Sequence, residues 1–451
     1  MMGERQVRQE ALFYGFSLEE HVPADHLLRA IDRFVELSGI RRHLEPFYSA
    51  TGRPSVDPEL MIRMLLVGYC CGIRSERRLC EEVHLNLAYR WFCRLGLDSR
   101  VPDHSTFSKN RHGRFRDSDL LRRLFEATVR RCMAEGIVGG QGFVVDASMI
   151  RADASRQKGV ASPEELDPED ASRAVGEYLA VLDDAAFGAA TDVPPKLVSP
   201  TDPAARWTAA AGGLACYAYC DNYLIDVDHA VIVDVEATTA VRQAEVGAAR
   251  TMLTRTAETF GLWPERLVAD TGYGSAAMLG WLVHERGVEP HIPVFDKSAR
   301  QDGTFSREDF RYDHEGDVYF CPAGKMLSTR GSVLNDDQVM YWSSTYDCAA
   351  CALKPRCCPN KPSRRVPRSV HEGARDLARD IAGTDAYAAS RRERKKVEML
   401  FAHLKRILGL GRLRLRGPNG ARDEFHLAAA AQNLRKLAML IPVVVPSAPA
   451  G

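Results

Sequence analysis

The sequence carries no net charge: 60 Lys and Arg balance 60 Asp and Glu over 451 residues. That balance excludes a protein that grips nucleic acid or an anionic membrane with its whole surface. Long apolar runs are missing too. The most apolar tail, Leu437 to Pro446, is interrupted by Pro442 and falls short of the roughly 20 residues a helix needs to span a bilayer. The first residues, Met-Met-Gly-Glu-Arg-Gln, are polar and lack a secretory pattern, so a cytoplasmic, nucleoid-associated protein is expected. Twelve cysteines in such a chain read as reduced thiols or metal ligands, not as a disulfide framework.

What is present is local segregation of charge. Residues 391–416 hold ten Lys or Arg against two acids, and 109–131 hold eight against three. In the first of these, the stretch from Arg391 to Lys405 reads at helical period as two stripes. Val397, Phe401, Leu404 and Leu408 form a core-docking face. Arg391, Arg394, Glu398 and Lys405 form a second stripe about a quarter-turn away, one carboxylate bracketed by three cations. The bland alternative is a solvated helix face carrying i,i+4 pairs.

A chain of this length divides into two or three domains. Residues 1–135 read as helical: Asp57-Pro58-Glu59 is a helix start, and a basic helix with Lys109 and Arg111 follows Pro102-Asp-His-Ser-Thr. Several short helices ending in a basic one suit a DNA reader; a helical bundle for dimerisation is the alternative. From residue 136 the texture changes to strands and helices alternating, an α/β pattern with a mixed sheet. This domain is expected over 136–295, with an insertion at about 151–206, and again over 386–441. Residues 296–385 read as a Cys-rich insertion and 442–451 as a flexible tail.

Asp146 closes the apolar run Phe143-Val-Val, and Asp270 closes Arg266-Leu-Val-Ala. Each alone is an ordinary turn or cap residue. With Glu398 on a core-docked helix, the three form a set of hard oxygen ligands that favours Mg²⁺ or Mn²⁺ over zinc. Two such ions support phosphoryl displacement, with Arg394 and Lys405 facing substrate phosphates.

These residues resemble the DDE transposases of bacterial insertion sequences. The last acid of one large branch lies in Tyr-x2-Arg-x3-Glu-x6-Lys, which this chain matches at Arg394, Glu398 and Lys405, with Arg391 at the tyrosine position. Val-Val-Asp146-Ala-Ser and Ala-Asp270-Thr-Gly-Tyr-Gly-Ser look like the first two acids. The resemblance implies an RNase H-like catalytic domain behind an N-terminal helical DNA-binding domain, with Asp146, Asp270 and Glu398 catalytic and metal-binding. It implies DNA contacts from Arg391, Arg394, Lys405, Lys109 and Arg111, double-stranded terminal inverted repeats and target DNA as partners, and a homodimer in the DNA complex. The implied activity is Mg²⁺-dependent end cleavage followed by strand transfer. Alternatives are a silent end-binding protein and a metal-dependent nuclease without strand transfer. Cys321, Cys348, Cys351 and Cys357 could supply four thiolates to a structural zinc; a reduced, metal-free loop is the alternative.

Overall fold

A computed structural model of the chain describes residues 15–49, 51–52, 54–155, 159–160, 172–195, 197–209, 213–296, 298, 300–334 and 337–442. From residue 443 the expected tail lies outside these, as do 161–171 of the expected insertion. No helix among the described residues is long and apolar enough to cross a membrane.

The first third is helical. It contains α1 (Leu18–His21), α2 (Leu27–Asp32), α3 (Ile40–Leu44), α4 (Pro58–Cys70), α5 (Glu76–Leu85), α6 (Leu87–Phe92), α7 (Ser105–Arg111), α8 (Arg114–Asp117) and α9 (Leu120–Ala134). Helix α4 starts where the sequence says: Asp57 caps it, its side chain accepting from the Glu59 amide, with Pro58 in the first turn. The cap satisfies one donor that a helix start leaves unpaired, and the proline, having no N–H, removes another. Every residue from Met61 to Cys70 is then buried, so α4 is the centre of its bundle.

The first sheet is built from β1 (Gly142–Arg151), β2 (Arg206–Thr208), β3 (Cys216–Asp226), β4 (Ile232–Thr239), β5 (Arg266–Val268) and β6 (Glu289–His291). Its order is β2-β3-β1-β5-β6, with β4 also paired to β3. β1 and β4 run antiparallel to β3, while β5 and β6 continue parallel to β1. Interleaved helices are α10 (Arg173–Leu179), α11 (Arg242–Phe260) and α12 (Ala276–Gly280). One face, with Phe143, Val145, Leu224 and Leu267, buries Met252, Leu253, Met278 and Leu279 of α11 and α12. The other, with Val144, Tyr223, Ile225 and Val268, belongs to a larger core running on into the N-terminal helices.

A second sheet has the order β11-β10-β9-β8-β7. Its strands are β7 (Arg311–Asp313), β8 (Val318–Phe320), β9 (Met326–Leu334), β10 (Gln338–Ser343) and β11 (Arg365–Ser369), with α13 (Thr345–Ala349) and α14 (Lys354–Cys357) between the last two. Three helices follow: α15 (Glu372–Ala382), α16 (Asp385–Arg406) and α17 (Pro418–Leu440). Helix α15, expected in the Cys-rich insertion, instead buries Ala374 and Ala378 among Met278, Leu279 and Leu282. Small side chains let it lie close to α12, and the last strand of the second sheet ends at Ser369.

Helix α17 joins the parts. Leu427 to Leu434 are all buried, apolar on nearly every side as an enclosed helix must be, and the two polar exceptions, Gln432 and Asn433, are hydrogen-bonded. The Asn433 side chain accepts from the Ile232 amide at 3.0 Å and donates to the Ile232 carbonyl at 2.7 Å. Arg74 of the N-terminal bundle pairs with buried Glu424. The N-terminal helices thus share one apolar core with α17 and the sheet, rather than forming a detached module.

Candidate active site

Parallel register brings the first two acids together. Val144 of β1 pairs with Val268 of β5, and Asp146 and Asp270 each lie two residues further on. β1 itself does not stop there. It continues to Arg151 along β3, with Asp146 opposite Tyr223, so Asp146 is a mid-strand residue and not a strand terminus. Its Oδ1 accepts from the Ala147 amide at 2.9 Å. Asp270 caps the short helical turn Thr271–Tyr273, its Oδ1 accepting from the Gly272 amide at 2.6 Å. Glycine is required at 272, where a Cβ would sit 2.5 Å from that same oxygen. It is required again at 274, where a Cβ would fall 2.0 Å from the Pro293 carbonyl oxygen.

Helix α16 supplies the third element. Thr384 caps it, accepting from the Tyr387 amide. Val397, Phe401 and Leu404 are buried, as is Leu408 just past its end. Phe401 stacks on Tyr223 at 5.0 Å between centroids, which seats the helix against the strand that pairs with Asp146. Anchored this way, α16 carries Arg394 to both carboxylates: its Nη2 is 3.9 Å from Asp146 Oδ2 and 3.7 Å from Asp270 Oδ2. Glu398, one turn later, is exposed.

Burial raises Asp146 to a pKa of about 6; Arg394 and the Ala147 amide oppose the rise, while the charges of Asp270 and Glu398 add to it. The carboxylates therefore sense one another, and Arg394 is the cation that two of them share. Among the described residues no three His, Cys, Asp or Glu side chains stand close enough to hold one ion. The donor set is nevertheless all oxygen, the chemistry of Mg²⁺ and Mn²⁺, and a cation already stands beside two of its members in the form of Arg394.

Two residues that local sequence reasoning did not assign lie beneath this cluster. The Tyr273 ring is buried, and its hydroxyl has no hydrogen-bond partner among the described residues. Burial raises it well above the phenol range, and the charges of Glu245, Asp146 and Asp270 add to that. Glu245, in the first turn of α11, accepts from Cys220 Sγ at 3.0 Å; burial raises its pKa, with Asp270 contributing. The Tyr273 signal was present, in the turn after Asp270. Glu245 had none, because only the packing of α11 on β3 brings it there.

The expected DNA contacts divide. Arg391, Lys405 and Lys109 are exposed. Lys405 also projects its charge onto Asp221, a fully buried carboxyl whose pKa burial raises far above the usual range. Arg111, by contrast, is buried and bound to Glu76 at 2.9 Å, so its guanidinium is not offered to DNA. Its neighbours in the basic stretch turn inward as well: Arg116 pairs with Glu177 at 2.7 Å and Arg122 with buried Asp234 at 2.6 Å. These three of the eight cations there are committed to acids within the fold.

All twelve cysteines are free. Of the expected zinc set, Cys321, Cys348 and Cys357 gather in one region and Cys351 does not, and among the described residues no three such ligands stand close enough to hold an ion. Cys357 and Cys358 are instead buried among Phe310, Tyr319 and Tyr341, with Cys321 and Cys348 packed against them. Cys351 lies outside that core.

With the geometry in place, comparison with known families is direct. Residues 16–113 match a transposase domain model, DUF772, and residues 320–438 match a transposase DDE domain model. The chain belongs to the DDE transposases of insertion sequences. The second match spans most of the second sheet together with α15, α16 and nearly all of α17, so in this transposase the sheet is part of the family pattern. The first covers the helices up to α7. Transposition is accordingly the function these domains indicate.

Proposed function

We propose that the transposase binds the terminal inverted repeats of its element, hydrolyses the phosphodiester at each end and joins the freed 3′-OH to target DNA. The observation that carries this reading is the convergence of Asp146 and Asp270 on Arg394, one helical turn before Glu398. The strand order β4-β3-β1-β5-β6, antiparallel on one side of β1 and parallel on the other, supports an RNase H-like catalytic core. Asp146, Asp270 and Glu398 would hold Mg²⁺ or Mn²⁺, which when bound activates an attacking oxygen and stabilises a leaving one.

The protein's own groups do the rest. Arg394 neutralises the acids in the free protein and turns to a substrate phosphate when they are otherwise satisfied. Arg391, Lys395, Lys405 and Arg406, exposed along α16, grip the backbone on either side of the scissile bond, as cations on a helix do. Lys109 of α7 adds a contact from the N-terminal helices. A homodimer, one copy for each element end, suits two-ended chemistry. Buried Tyr273 and half-buried Glu245 brace the Asp270 turn.

The test is incubation with Mg²⁺ and DNA carrying the flanking repeats, scoring end cleavage and joining separately. Cleavage and joining that both vanish in Asp146→Asn and Glu398→Gln are expected. Cleavage persisting in both variants would put the active site elsewhere, and cleavage without joining would reduce the activity to that of a nuclease.

A further inference from the structure

The second sheet has two unlike faces. Tyr319, Leu327, Tyr341 and Val366 point inward, onto Phe310, Cys357 and Cys358. Side chains alternate along strands, so Phe320, Met326, Trp342 and Arg365 point the other way. Register lines them up: Trp342 stands between Ser328 and Arg365, and Phe320 between Met326 and Arg311. The face is open, with Met326 53% exposed and Arg311, Ser328, Arg330 and Arg365 all exposed. The Arg311 guanidinium lies 4.7 Å over the Phe320 ring.

Its charge is one-sided. Arginines near the inner face are tied to acids: Arg307 to Asp296, Arg368 to Asp376, Arg375 to Glu372. Among the described residues, no acid pairs with Arg311, Arg330 or Arg365. Asp313, half-buried at a corner opposite Val318, is the one carboxylate at the outward strand positions. Flat aromatic surface between unpaired guanidinium groups is the chemistry that takes unpaired bases by stacking and their phosphates by charge.

We propose that this outer face docks a single nucleic-acid strand, its bases against Trp342 and the Arg311–Phe320 pair and its phosphates on Arg330 and Arg365. A second copy is disfavoured as occupant, because symmetric self-pairing would set these arginines against their own kind. An acidic peptide would use the charge and leave the rings idle. The proposal rests on the reading that the chain handles DNA, and adds a site for strand freed from the duplex.

The test uses the full chain carrying Glu398→Gln, to prevent cleavage, and a fluorescent oligothymidylate of about 16 nucleotides, read by anisotropy. The parent binds it. Trp342→Ala and Arg365→Glu each weaken binding about tenfold, Trp342→Phe largely restores it, and binding of duplex repeat DNA changes little. Arg365→Glu, at an exposed position, keeps the test valid even where Trp342→Ala disturbs folding. Strand binding unaffected by Arg365→Glu and Trp342→Ala overturns the proposal. So does a parent that binds duplex ends but no single strand, which leaves the transposition reading intact. A change in sedimentation without a change in strand binding would make the face a contact between copies and also overturn it. Failure of the wild-type chain to cleave repeat DNA, with strand binding intact, counts against the transposition reading alone.

Discussion

Asp146 and Asp270 are held in the same way. In each, Oδ1 accepts from a backbone amide close by in sequence, and Oδ2 faces Arg394. One oxygen fixes the carboxylate and the other is left for a cation. The cap reading and the active-site reading of these acids are therefore not rivals, since each oxygen serves one of them. Four expectations follow from this geometry and from the residues around it.

Asp146→Asn should stabilise the protein in chelator at neutral pH. The folded pKa, about 6, is raised above the ordinary aspartate range near 4. Ionisation thus costs stability above about pH 6, and the cost vanishes as pH falls below 4. The gain is at most on the order of 3 kcal/mol. Paired thermal melts at pH 7.5 and pH 3.5 decide it; an equal difference at both pH values would remove the electrostatic origin.

Arg394→Gln should do the reverse. Without the shared cation, Asp146, Asp270 and Glu398 repel, and the variant should melt below wild type in chelator. Added Mn²⁺ should then raise its melting temperature more than it raises the wild type's, because metal takes over the lost neutralisation. Equal metal responses in the two proteins would show that Arg394 is not the acids' counter-ion.

Lys405→Ala should lower affinity for duplex repeat DNA and reduce the slope of log K against log salt by roughly 0.9. Its exposed ammonium lies on the same helix as Arg394. An unchanged slope would confine Lys405 to its interaction with buried Asp221.

Arg111→Ala should behave differently. It removes the buried partner of half-buried Glu76, costing about 1–3 kcal/mol of stability, with the salt slope of DNA binding unchanged. Lys109→Ala, two residues earlier and exposed, should change the slope and hardly move the melting temperature. A drop in slope for Arg111→Ala at constant stability would contradict its burial.

The sequence by itself determined the elements whose cause is local. Helix α16 is legible because 3.6-residue periodicity separates Val397, Phe401 and Leu404 from Arg391, Arg394 and Glu398. The start of α4 is legible because capping is a matter of adjacent residues, and the run into Asp270 because its glycines serve a turn of five residues. Tertiary structure alone decided which charges are free. Arg111 and Lys109 look alike in sequence, but one side of α7 packs on the bundle and buries the first against Glu76. It also decided that Cys351 stays apart from the cysteine core, that α15 joins the first sheet, and that Glu245 reaches the acids. In each case the partner lies tens to hundreds of residues away or depends on which side of an element is covered. Contacts at that range are set by packing, which no local pattern records.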